Sequence, residues 1–205
     1  MAKKKTVYIC QNCGAESSKW IGRCPYCNEW NTYVEETIQP EGKNTGFSDK
    51  TADIQPLSSI SLDDEKRLST HYQEVDRVLG GGMVPGSLVL IGGEPGIGKS
   101  TLALQMALKS KDIKVLYISG EESLKQLKLR SDRLKEDDNE IYLLNETSLE
   151  RVLEQTKKFS PDLLIVDSIQ TLFSENFDSA PGSVSQVRQS ATRLLYFAKS
   201  TSIPV

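Results

Sequence analysis

The chain has 205 residues, 38% of them hydrophobic and 26% charged, with a formal net charge of −3 and a pI near 5.4. That balance describes a folded globular protein, and it excludes both a disordered chain and a uniformly basic nucleic-acid coat. No run approaches the ~18 apolar residues of a membrane span, and the basic start MAKKK leads into no apolar stretch of signal-peptide length, so the cytoplasm is the expected compartment and no membrane partner is expected.

The first element is a cysteine- and aromatic-rich unit over residues 1–34, with Trp20, Tyr26, Trp30 and Tyr33. It is too small to fold on an apolar core alone and needs a staple. All four cysteines of the chain fall here, as Cys10, Cys13, Cys24 and Cys27. Two C-x2-C knuckles so spaced suit four thiolates around one tetrahedral Zn²⁺, a closed and therefore structural site. Two disulfides or a redox C-x-x-C pair use the same residues; a cytoplasmic setting favours zinc. Residues 35–65 are polar, carry Pro40, Gly42, Gly46 and Pro56, lack periodicity, and read as a linker.

From residue 66 to 205 strands and helices alternate. Residues 87–92 (SLVLIG) predict a buried strand, and residues 99–109 a helix with Leu102, Leu104, Met106 and Leu108 at helical spacing. A strand at 113–119, a polar helix to about Lys135 and a strand at 141–144 follow. Thr147 and Glu150 predict a capping box for a helix that stops before Pro161. Residues 162–167 (DLLIVD) form the fourth strand. The last helix has Val187, Ala191, Leu194, Leu195 and Ala198 on its inner face and ends near Ser202. Strands that are apolar on both faces, alternating with helices, predict an α/β domain with a mostly parallel sheet.

Residues 93–100 read GEPGIGKS, a full match to G-x-x-x-x-G-K-[ST] between a strand and a helix. Gly93, Glu94, Pro95, Gly96, Ile97, Gly98, Lys99, Ser100 and Thr101 are therefore the expected contacts of a nucleoside triphosphate. Glycines turn backbone amides toward phosphate, and the helix N-terminus adds positive potential. Lys99 is expected on the β- and γ-phosphates, with Ser100 on Mg²⁺. Asp167, at the end of a strand, is expected to hold the same Mg²⁺. Glu121 and Glu122 follow a strand at the same edge, where a carboxylate can orient or deprotonate the attacking water; acidic residues also suit a helix N-terminus, and both readings stand. Gln170 fits a γ-phosphate sensor or a solvated turn equally. No Asn-Lys-x-Asp motif reads guanine, so ATP is the expected nucleotide. The lone His71 is assigned no role.

Residues 174–185 predict a mobile loop at the working edge, followed by Arg188, Arg193 and Lys199 on the last helix, which on their own read as a solvated face. The succession of four-cysteine unit, DRVLGGGMVPGSLVLIGGEPGIGKSTL, YISGEES, LLIVDSIQT and SAPGSVSQVRQ resembles the bacterial RadA/Sms DNA-repair ATPases over nearly all the chain outside the linker. The resemblance implies a RecA-like P-loop core and a hexameric ring acting in homologous recombination and branch migration. Single-stranded or branched DNA, and recombinase proteins, are the implied partners. It gives Glu121 the catalytic glutamate's role beside Lys99 and Asp167, and places residues 174–188 toward DNA. Family members continue past the equivalent of Val205 with a further strand, a KNRFG motif and a Lon-like domain, so the chain reads as an N-terminal fragment with a truncated sheet. An exposed sheet edge or a loosely docked last helix is the expected consequence.

Overall fold

The computed structural model describes residues 5–38, 54–59, 66–134, 140–176 and 179–205; most of the 35–65 linker lies outside them. The N-terminal unit is an antiparallel sheet of β1 (Lys5–Cys10), β2 (Glu16–Ser17) and β3 (Tyr33–Ile38) in the order β2-β1-β3. Two knuckles interrupt it. In one, the Gly14 amide donates to Cys10 O; in the other, that of Asn28 donates to Cys24 O. Both turns end in the left-handed region, at φ +72° and +63°, where glycine and asparagine are the most tolerant residues. Cys10, Cys24 and Tyr33 form a small buried apolar cluster, with Tyr8, Ala15 and Cys27 against them, and Val7 and Ile9 of β1 are buried as well.

The larger unit carries a parallel sheet of β4 (Val115–Ser119), β5 (Ile141–Asn145) and β6 (Leu163–Asp167), ordered β5-β4-β6. Its helices are α1 (Gln73–Val78), α2 (Lys99–Lys109), α3 (Leu124–Leu134), α4 (Leu149–Phe159) and α5 (Val184–Thr201). Every residue of the central strand β4 is buried. Val115 and Tyr117 pack with Leu104, Ala107 and Leu108 of α2 and Leu127 of α3. Leu116 and Ile118 pack on the other face with Leu149 and Val152 of α4 and Leu194 of α5. Period-two alternation thus feeds two cores, one on each side of the sheet.

Three local expectations are corrected. Residues 87–92 form no regular strand and are not buried. They pair only at their start, where Val89 N donates to Val205 O at 2.8 Å and Val205 N to Ser87 O at 2.9 Å. Above that level no described residue continues the ladder, and Leu90 is 78% exposed. The apolar run thus lies along the sheet edge, while α5 itself is docked. The capping box at Thr147 and Glu150 does not form. Glu150 instead accepts hydrogen bonds from Ser174 and Asn176, and the Glu146 carboxylate accepts from the amides of Thr147 and Ser148, both at 2.9 Å. On α5 the fully buried residues are Gln186, Ser190, Leu194 and Ala198, while Val187, Ala191 and Leu195 are only half-buried. Gln186 enters that stripe because it ties down the preceding loop.

The Ser148 amide, together with that of Thr147 and the Arg151 guanidinium, holds the Glu146 carboxyl below the ordinary glutamate range. The folded value lies below the unfolded one, so this contribution is complete above the ordinary glutamate pKa and is lost as pH falls through the folded value. Glu146→Ala is expected to lower stability by about 1 kcal/mol near neutral pH, the typical net loss of an intramolecular hydrogen bond. In urea unfolding, the gap between variant and parent closes in acid.

Candidate nucleotide and metal sites

The turns within residues 93–100 are imposed by backbone geometry. Gly96 and Gly98 sit at φ +81° and +100°, and Gly98 is the residue that opens α2. A Cβ at either would meet no atom, so it is the left-handed backbone that calls for glycine. Gly93, Glu94, Pro95, Gly96, Ile97 and Gly98 are exposed; Lys99, Ser100 and Thr101, on the first turn of α2, are half-buried. The Lys99 ammonium donates to the carbonyls of Gly93 and Glu94, each at 2.9 Å. The Lys99 side chain thereby closes back over the start of the loop.

Asp167 ends β6 in register with Ser119 of β4. Ser100 Oγ donates to its Oδ1 at 2.8 Å, and Tyr117 Oη donates to its Oδ2 at 2.7 Å. Burial first, then the hydrogen bond and charge of Asp167, push the Tyr117 phenol far up, so it remains a donor. A hydroxyl and a carboxylate at this spacing are hard oxygen donors of the kind Mg²⁺ takes alongside nucleotide phosphates, and both residues fit that ion.

The structure separates the two glutamates after β4. Glu122 is engaged by Arg130 in an ion pair, and its backbone closes a turn on Ser119 Oγ and Asn145 Nδ2. Glu121 is exposed and faces the end of β6, where Ser168 Oγ donates to its Oε1 at 2.7 Å. The Glu121 turn passes so close to the turn at Ile169–Thr171 that a Cβ on Gly120 would collide with the Thr171 side chain. Gln170 is exposed in that short turn, and His71 is an exposed turn residue at φ +56°. Tyr117, Ser168 and Gly120 lie within the YISGEES and LLIVDSIQT segments, but the sequence assigns them no role; a tyrosine in an apolar strand reads as core until its hydroxyl's partner is known.

The loop after β6 is anchored at both ends. Ser174 is buried, and Gln186 bonds both its amide and its carbonyl; residues 177–178 lie outside the described residues. Arg188 donates to Gly14 O of the cysteine unit at 3.0 Å, and the Val184 amide to Gln11 Oε1 at 3.3 Å. Arg193 faces Glu150 at 3.6 Å, and Lys199 is exposed.

In the cysteine unit the four Sγ atoms of Cys10, Cys13, Cys24 and Cys27 lie within 4.8 Å of one another, and all four thiols are free. Burial raises Cys24, but the amides of Cys27 and Tyr26 and the hydroxyl of Tyr33 outweigh it and bring it down to about 6. The Ala15 amide lowers Cys13, but burial and the three neighbouring sulfurs push it up to about 12. Crowded thiols that cannot all ionise unaided are what a divalent soft-tolerant ion resolves, and the donor set fits zinc.

Known proteins share both halves of this architecture. A family model described as a rubredoxin metal binding domain matches residues 8–35, and a KaiC ATPase model matches residues 68–146. The DNA repair protein RadA of Bacillus subtilis is 49% identical over 212 residues, and that of Halalkalibacterium halodurans 48% identical over 211. Over its whole length the chain is similar to RadA proteins. Each alignment takes in 100% of this chain and 46% of the RadA relative, so the chain spans about half the length of those proteins. Its RadA-type architecture is a RecA-like α/β core preceded by a four-cysteine ribbon. Among the described residues no helix is long and apolar enough to cross a membrane.

The ribbon is expected to carry a single zinc ion, because its apolar centre is too small to hold it closed. Cys24→Ser, or a strong chelator, should release the metal and disorder residues 8–35 while the helical spectrum of the larger unit persists. Metal release followed with a chromogenic chelator, alongside circular dichroism, checks this; an ordered ribbon without metal would refute it.

Proposed function

We propose that this chain carries the ATP site of a DNA-repair ATPase whose longer form hydrolyses ATP on single-stranded or branched DNA and promotes branch migration. The observation that supports it most is the convergence on Asp167: the P-loop hydroxyl of Ser100 meets one carboxylate oxygen, and Glu121 stands at the neighbouring strand end, joined through Ser168. In this reading the amides of residues 93–98 and the Lys99 ammonium bind the β- and γ-phosphates. Ser100 and Asp167 hold Mg²⁺, which would supply charge neutralisation on the phosphates. Thr101 continues the loop's contacts. Glu121 orients the water and accepts its proton; Glu122 is unsuited to that role because Arg130 already occupies it. Arg188 and the loop before it are the proposed DNA contacts, and a cytoplasmic homo-oligomeric ring with recombinase partners is the proposed setting.

A second reading has specific support of its own. Trp20, Tyr26 and Trp30 stand 56%, 77% and 65% exposed on the ribbon, a surface that suits a protein partner. In that case the core is a RecA-fold ATPase or nucleotide-binding module whose ribbon docks on another protein.

Lys99→Ala should weaken ATP binding by calorimetry at least tenfold, since it removes the loop's cation; unchanged affinity would end the nucleotide reading. In a chain extended past Val205, Glu121→Gln should still bind ATP while turnover falls on the order of 10²-fold or more. Single-stranded DNA should raise the parent's ATPase rate, with binding that weakens linearly in log salt. Stimulation by protein but not by DNA would favour the second reading.

A further inference from the structure

The hydroxyl of Tyr117 is the least expected member of the site. Tyr117 is fully buried at the centre of β4, among Leu104, Leu108 and Leu127. An apolar phenylalanine would fill the same space, so packing alone does not call for the oxygen. That oxygen points along the strand toward its C-terminal end and donates to Asp167 Oδ2 at 2.7 Å, while Ser100 occupies Oδ1 at 2.8 Å. An aspartate's terminal torsion has a broad minimum, and one donor leaves the carboxylate free to swing about that bond. Two donors from two different elements, one on each oxygen, fix its plane. A carboxylate accepts about four hydrogen bonds or cation contacts and Ser100 Oγ keeps its lone pairs while donating. Both residues therefore retain acceptor capacity for a cation.

We propose that Tyr117 is a positioning residue for the magnesium site, its buried hydroxyl holding the Asp167 carboxylate in the orientation that a nucleotide-bound Mg²⁺ requires. The inference rests on the nucleotide reading above and adds to it a residue from the core of the sheet. It requires that removing the hydroxyl loosen the carboxylate without disturbing the phosphate loop, which Tyr117 does not bond. The outer partners of metal-binding carboxylates commonly carry a tenfold or larger share of metal affinity.

The test is Tyr117→Phe in this chain, with Thr156→Val as control; Thr156 is equally buried, on α4, and its hydroxyl donates to Val152 O, away from the site. ADP binding is measured by calorimetry in EDTA and then across a Mg²⁺ series, with Mn²⁺ paramagnetic resonance reporting metal occupancy directly. The expected result is a Mg²⁺ midpoint raised about tenfold in Tyr117→Phe, with affinity in EDTA unchanged and Thr156→Val equal to the parent. An unchanged midpoint overturns the proposal, and so does a loss in EDTA that matches the loss in Mg²⁺, which would mark Tyr117 as merely structural. Absence of any Mg²⁺-dependent binding in the parent chain would instead bring down the nucleotide reading, and this inference with it. A second readout uses the unaltered chain: the Tyr117 hydroxyl proton resonance should shift on adding Mg²⁺ with ADP, and a fixed resonance counts against the proposal even where the variant folds poorly.

Discussion

Two parts of the chain far from Asp167 in sequence meet on its carboxylate, and a third stands one residue away. Ser100 brings the phosphate loop, Tyr117 the central strand, and Ser168, the next residue, reaches Glu121 at the end of β4. These contacts are possible because β4 and β6 are paired in parallel with Ser119 opposite Asp167. A one-residue slip would turn Asp167 to the opposite face and separate it from both hydroxyls. Register is secured by burial: all of β4 is inside, and its alternate residues feed two different cores. The apolar packing that stabilises the sheet is therefore also what sets the geometry of its polar edge.

The ribbon is organised on the opposite principle. Its apolar centre is minimal, its large aromatics face outward, and its order depends on four sulfurs gathered into one cluster. It nonetheless meets the core at a defined place, the first turns of α5, through Gln11 and Gly14. Gly14 suits that contact twice over. Its backbone is left-handed, and a Cβ there would press on Val184 and Arg188.

Features with a short-range code were legible in the sequence. The loop at 93–100, the cysteine knuckles, the α2 helix and the strand ending in Asp167 all follow from local spacing, and all four occur where expected. What failed depended on partners. Residues 87–92 have a strand's composition, but strands exist by pairing, and only the first part of this run finds a ladder. The Thr147 and Glu150 pattern lost to Glu146, one residue upstream of the threonine, while Glu150 was drawn to Ser174. The tie between Glu122 and Arg130, which distinguishes it from Glu121, reaches eight residues along the chain into α3, a spacing that no motif describes. Tyr117 is the extreme case, since its composition says core and only the distance to Asp167 says otherwise.

The near-collision of Gly120 with Thr171 has a mechanical side. The turn bearing Glu121 and the turn after Ser168 are in backbone-to-side-chain contact, and Thr171 is clamped by its own hydrogen bond to Ser168 O. Closely packed surfaces of this kind have little compliance. With so little room between them, a shift of the turn at Ile169–Thr171 would bear directly on the turn that carries Glu121.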